Sequence, residues 1–193
     1  MVVSRGRQRG FDRDAVLDQI TRAFWRDGYA GTSVADLTKL TGVNPPSLYA
    51  AYGDKRALFG EVLDHYQRTY GAFTTVALHE EPTARRAIGR LLREAAAAYT
   101  DPSRPRGCLV ISAGTGEAAE TLRELRAAGQ QAVARRIAAD VDAGLLPPGT
   151  DSAGLAAFFA TVVQGMSRQA RDGAGRDTLE RVAAMAMGVW PAP

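Results

Sequence analysis

Thr32-Ser-Val-Ala-Asp-Leu-Thr-Lys-Leu-Thr-Gly-Val-Asn-Pro-Pro-Ser-Leu-Tyr-Ala-Ala-Tyr-Gly-Asp-Lys-Arg-Ala-Leu-Phe59 is the stretch that decides the fold. Thr32 or Ser33 is a good helix N-cap, and Val34, Leu37 and Leu40 follow at three-residue spacing on one face. Thr41-Gly42-Val43 breaks this first helix, because Gly42 can take the left-handed conformation that a tight helix-to-helix turn needs. Asn44 can cap the next helix. Pro45 suits its first position and Pro46 is tolerated in the same turn, since no intrahelical bond needs their N–H groups. Leu48 turns back toward the first helix, and a further helix opens after Gly53-Asp54. The pattern is a helix, a turn and a helix, built from local capping chemistry.

Helix, glycine turn and helix also occur in folds with no nucleic-acid role, so the residues themselves must carry more. Gly28-Tyr29-Ala30-Gly31-Thr32-Ser33-Val34, then Thr41-Gly42-Val43, Ser47-Leu48-Tyr49 and Tyr52-Gly53-Asp54-Lys55, with Leu58-Phe59 behind, follow one another without gaps. This succession resembles the N-terminal domain of TetR-family transcriptional repressors over about residues 10 to 60. The resemblance implies a sequence-specific DNA-binding regulator whose second short helix enters the major groove. It matches Tyr49, Lys55 and Thr32 to family positions that contact backbone phosphate, and hydroxyl and ammonium donors suit that role. The exposed first turn of the recognition helix offers Asn44, Pro45, Pro46 and Ser47 to base edges. Its two prolines depart from the family pattern and leave apolar contacts, such as thymine methyls, in place of hydrogen-bond readers. The other possibility for Tyr49 is a packed core position.

Charge supports the same segment. Residues 1–60 hold nine Lys and Arg against six Asp and Glu, whereas residues 61–193 hold fifteen of each. The whole net charge of +3 therefore lies in the first third of the chain, as do both lysines, Lys39 and Lys55. A positive excess confined to the third of the chain that carries the motif fits phosphate neutralisation. Residues 1–10, with Arg5, Arg7 and Arg9 among glycines, form either a disordered tail or an arm for the minor groove.

The expected architecture is all-α, with about nine helices. Residues 1–10 are a flexible basic arm, 11–57 a DNA-binding domain and 58–193 a larger helical domain for effector binding and dimerisation. Val16, Ile20, Ala23 and Phe24 form the stripe of a first helix that ends at Gly28. Leu58, Val62, Tyr66, Tyr70 and Phe73 suggest a fourth helix of roughly 20 residues, about 30 Å long, as a lever between the two domains. Pro82 opens a fifth helix. Cys108–Ala113 reads as a short buried helix, residues 117–142 as a long amphipathic one, and 151–172 and 176–190 as the last two. The resemblance implies that these last two form a two-fold dimer interface and that the operator is palindromic.

The single Cys108 excludes an internal disulfide framework and fits a reducing cytoplasm. The start of the chain carries no secretory-signal pattern. The longest uncharged run, 152–167, is too short and too polar for a membrane span. No cofactor, metal site or catalytic constellation emerges. His65 and His79 lack partners at metal-ligand spacing, Ser112 and Ser167 lack an activating histidine, and Gly114-Thr115-Gly116 lacks the lysine of a phosphate loop.

Tyr66, Tyr70, Phe73, Tyr99, Cys108, Phe158, Phe159 and Met166 are candidates either for core packing or for lining an effector cavity. Cys108 is small and apolar-flanked, which suits the core. Its other possibility is a thiol sensor of oxidants or electrophiles, with Arg104, Arg106 and a helix N-terminus lowering its pKa. The rival class is a helical small-molecule-binding protein or enzyme whose helix-turn-helix is only structural.

Overall fold

The computed structural model describes residues 11–114 and 116–191, so the basic arm expected at 1–10 lies outside the described residues. Among the described residues the chain forms ten α-helices and two 3₁₀ turns, with no strand. Helix α1 spans Arg13–Gly31 and is capped by Asp12, whose carboxylate accepts from the Asp14 and Ala15 N–H groups. Its regular part stops at Gly28 (φ 78°, ψ 167°), beyond which one short turn leads into the motif.

Helices α2 (Val34–Thr41) and α3 (Pro45–Tyr52) follow the local rules closely. Ser33, not Thr32, is the cap of α2. It forms a reciprocal box in which Asp36 N–H donates to the Ser33 hydroxyl at 3.1 Å and Ser33 N–H donates to the Asp36 carboxylate at 2.9 Å. Gly42 (φ 71°) closes α2 by donating its N–H to the Thr38 carbonyl. Asn44 Oδ1 then accepts from Ser47 N–H at 2.9 Å to start α3, with both prolines in the first turn.

The apolar pattern of α2 needs one correction. Leu37 is fully buried, but Leu40 is 46% exposed and Val34 is half-buried. Steps of three residues fall about 60° short of a full turn, so Val34 and Leu40 sit to either side of the one inward position.

The lever is also shorter than expected. Helix α4 spans Lys55–Arg68, 14 residues or about 21 Å, and a separate helix α5 occupies Ala72–Glu80. At the break, Thr69 leaves helical geometry (φ −116°, ψ −86°) and its hydroxyl bonds the His65 carbonyl. Gly71 N–H donates to the Tyr66 carbonyl, and a Cβ at Gly71 would lie 3.0 Å from the Tyr66 ring. Tyr70 thereby swings onto α1, where its hydroxyl donates to Asp18 at 2.6 Å and its ring meets Trp25 edge-on.

Helix α6 (Ala84–Thr100), capped by Thr83, is the centre of the larger part. It buries Ala84, Ala87, Ile88, Leu91, Leu92, Ala95, Ala96 and Tyr99 along a broad face, while Arg85, Arg86 and Arg93 face solvent. Around it pack α5, α8 (Ala119–Asp142), α9 (Ser152–Arg171) and α10 (Arg176–Ala186). The short α7 (Leu109–Ser112) sits against α1, α8 and α9. Asp140 of α8, buried, accepts the Ala84 N–H at 2.6 Å and pairs with Arg136, tying the start of α6 to α8. No helix among the described residues is long and apolar enough to cross a membrane.

Two parts of the chain meet at α1. Arg171, at the end of α9, donates to the Trp25 and Arg26 carbonyls at 3.1 and 3.2 Å, in the last turn of α1 before Gly28. Arg22 of α1 reaches the Ser103 carbonyl at 2.8 Å, and the Tyr29 hydroxyl reaches Glu117 at 3.1 Å. The Asp18 carboxylate joins this seam. Partial burial raises its pKa, but hydrogen bonds from Tyr70, Arg22 and His65 outweigh that and hold it below the usual range. A folded-state pKa below the unfolded one stabilises the fold above the unfolded pKa, and that stability is lost as pH falls through the folded value. Asp18→Asn is therefore expected to lower the melting temperature at neutral pH. The gap to wild type should close below about pH 4, which melts at stepped pH would show. A constant gap across the acid range would remove Asp18 as the source.

Candidate nucleic-acid interface and ligand cavity

The exposed edge of the helix-turn-helix carries most of the residues expected there. Asn44, Pro45 and Pro46 face solvent and Ser47 is half-buried. Tyr49 is 49% exposed and its hydroxyl has no partner among the described residues, so it is not a core tyrosine. Leu48 and Tyr52 take the inward positions of the same helix, and the Tyr52 hydroxyl donates to the Arg13 carbonyl at 2.8 Å. Lys55, in the first turn of α4, places its ammonium 4.3 Å from the centre of the Tyr29 ring. That contact holds a flexible side chain at the surface through cation–π attraction.

Thr32 is the exception. It is only 2% exposed, and its hydroxyl donates to the Gly28 carbonyl at 2.9 Å. Its side chain cannot reach a phosphate as placed, and the exposed Ser33 stands at the surface instead. The reason is the turn at Gly28, which needs a partner for its carbonyl and finds the first hydroxyl in reach. Asn44 is partly committed too, since its side-chain oxygen is the cap of α3 and only its amide NH₂ is left for a base edge. Lys39, exposed on α2, adds a cation to the same region.

Behind this unit lies a cavity of about 360 Å³ between α4, α5, α6, α7, α8 and α9. Of the eight candidates, Tyr66, Phe73, Tyr99, Cys108 and Phe159 line it. The other three do not. Tyr70 is turned onto α1, Met166 is packed in the core and Phe158 is 38% exposed on the outside of α9. Leu78, Ile88, Leu91, Val133, Arg126 and three glutamines also line the cavity. An aromatic and sulfur search could not find these; only the packing of six helices shows which aliphatic and polar residues share a void.

Cys108 lies at the floor, where the Tyr66 hydroxyl donates to its sulfur at 3.3 Å and its own N–H donates to Ser167 Oγ at 2.9 Å. Burial pushes the thiol pKa up, and the hydrogen bonds from Tyr66, Ile111, Val110 and Tyr99 do not reverse this. The arginines expected to lower it point elsewhere. Arg104 pairs with Asp101 at 3.0 Å, and Arg106 donates to the Ala170 and Ala174 carbonyls. Burial thus disfavours the thiolate and neither arginine favours it, while the side chain borders the cavity. Burial likewise raises the pKa of Tyr66 and Tyr99 well above the usual phenol value.

His65 Nε2 lies 3.3 Å from Asp18, and His79 Nδ1 lies 2.8 Å from the Thr75 carbonyl. Among the described residues no group of His, Cys, Asp and Glu could hold a metal ion.

A solvent-facing helix-turn-helix on a helical body that carries a partly open cavity fits a class of one-component regulators. Residues 16–62 match the family model described as bacterial regulatory proteins, tetR family. Two repressors of Escherichia coli K12 are similar along nearly the whole chain. ComR is 35% identical over 97% of this chain and 93% of its own length, and BdcR is 31% identical over 94% and 90%. A cysteine variant of the TetR-family regulator CifR, solved with 26-bp operator DNA, is 40% identical, covers 96% of this chain and 100% of its own, and superposes with a TM-score of 0.91. The chain belongs to the TetR family of bacterial transcriptional regulators. Its relatives are DNA-binding regulators, which leaves no support for the rival class in which the motif is only structural.

Proposed function

We propose that this protein is a cytoplasmic, dimeric repressor that binds a palindromic operator through residues 11–57 and is released when a small molecule occupies the cavity of residues 58–193. The observation that carries the DNA role is the recognition edge. Asn44, Pro45, Pro46, Ser47 and Tyr49 stand clear of the core on a helix whose other face is anchored by Leu48 and Tyr52. Operator binding by CifR supports the same role at 40% identity.

Tyr49 and Lys55 position the helix on phosphates, and the Pro45-Pro46 turn reads shape and thymine methyls. Thr32 supports the turn from behind. The dimer reading is supported by an apolar outer face on α9, α10 and the 3₁₀ turn that follows, where Phe158, Val182, Met185 and Val189 are exposed, Met185 at 79%. Two copies joined there would present paired recognition helices to half-sites about one DNA turn apart. Ligand release follows if the effector prefers a cavity shape in which the recognition helices no longer match that spacing.

Selection of bound fragments from a genomic DNA pool would yield the operator. On it, Tyr49→Phe is expected to weaken binding by roughly fivefold and Lys55→Ala by about tenfold, on operator and random DNA alike. Lys55→Ala should also reduce the slope of log affinity against log salt by about one unit. Unchanged affinity in both variants would sink the contact assignment.

A further inference from the structure

The cavity holds charge at one point only. Arg126 of α8 is the sole charged side chain among the residues that line it. It is half-buried, and its hydrogen bond among the described residues goes from Nη1 to the Val110 carbonyl at 2.8 Å. None of the ion pairs among the described residues includes it. A guanidinium has five N–H donors in a planar fork, so most of that fork is left unmatched at the edge of an apolar space. Partly desolvated positive charge without a counter-ion is costly, and an anionic ligand group would relieve that cost.

Other parts of the lining are of another kind. Leu91, Tyr99 and Phe159 are apolar, and the hydroxyl of Tyr66 is spent on Cys108. A ligand that satisfies both has an apolar body and one planar anionic head. A carboxylate matches the fork through two parallel hydrogen bonds. A phosphate monoester would bring a second negative charge, and no second cation lines the cavity to meet it.

Resting on the cavity being the effector site, we infer that its ligand is a small apolar monocarboxylate, with the carboxylate on Arg126 and the body against Leu91, Tyr99 and Phe159. A volume of about 360 Å³ lies at the small end of ligand pockets, which suits a medium-length chain or a single substituted ring.

Titration calorimetry on the full chain at neutral pH with octanoate, 1-octanol and octylammonium separates head from tail. Octanoate is expected to bind at least about tenfold more tightly than octanol, and octylammonium more weakly than either. Arg126→Gln should bring octanoate down to the level of octanol and leave octanol within about twofold of wild type. Ala160→Phe, which fills the cavity from α9, should abolish both. Octanol binding as tightly as octanoate in wild type, but lost in Ala160→Phe, would overturn the carboxylate assignment and leave the cavity as the ligand site. The same follows if Arg126→Gln keeps the preference for octanoate. Octanoate binding that survives Ala160→Phe, or no binding by any of the three probes, would overturn the inference together with the cavity reading.

Discussion

Gly107→Ala is expected to destabilise the protein by about 3 kcal/mol and to lower its melting temperature by roughly 10 °C. Two effects combine. Gly107 has φ 77°, a conformation that costs a residue with a Cβ about 1–2 kcal/mol. The added methyl would also lie 2.8 Å from the Ser167 carbonyl oxygen and 2.9 Å from Arg171 Cγ, so backbone must move. Gly42 is the internal control. It has φ 71° but nothing within 4 Å of an added Cβ, so Gly42→Ala should cost only the conformational part, about 1 kcal/mol.

The displaced element in Gly107→Ala is the end of α9, whose Arg171 holds the last turn of α1. Its neighbour Cys108 lines the cavity. Loss of DNA affinity should therefore accompany the thermal shift in Gly107→Ala and exceed the loss in Gly42→Ala relative to stability. Thermal melts and gel shifts on both variants check this. Equal melting of the two would show that α9 yields freely and that its packing on residue 107 carries no weight.

Leu37→Ala is the second large effect. Helix α2 has eight residues and fully buries one side chain, Leu37 at 0% exposure. Truncating it leaves a void under α2 and is expected to cost about 3 kcal/mol, within the usual range for buried leucines. The short helices α2 and α3 depend on packing against α1 and α4, because segments of this length have little helical stability alone. Amide exchange across residues 33–52 should therefore rise about a hundredfold, while exchange in α6 changes little. Leu40→Ala, at the neighbouring apolar position but 46% exposed, should stay within about 0.5 kcal/mol of wild type. If the two leucine variants behave alike, α2 is held by its caps and not by its core contact.

The ends of elements were legible in the sequence because capping is local. Ser33, Gly42, Asn44, Asp54 and Asp151 each act within three or four residues of themselves, and all five terminate or start a helix. The order of motifs from Gly28 to Phe59 was legible for the same reason, and with it the family. The break at Thr69–Gly71 was not. Tyr66, Tyr70 and Phe73 continue the spacing of one helix, and only the pull of Asp18 and Trp25 on Tyr70 shows that the chain turns there.

Residue 32 was ambiguous for a related reason. Thr32 and Ser33 are both good caps in one dimension, and the demand of the Gly28 carbonyl decides which hydroxyl faces inward. The sequence by itself determined the all-helical class, the helix-turn-helix and the confinement of net positive charge to the first sixty residues, since these follow from period, capping and composition. Tertiary structure alone decided which aromatics line the cavity, that Arg126 is its single charge and that burial disfavours the Cys108 thiolate. A void and its polarity are made by helices distant in the chain, and no local pattern records which of their faces meet.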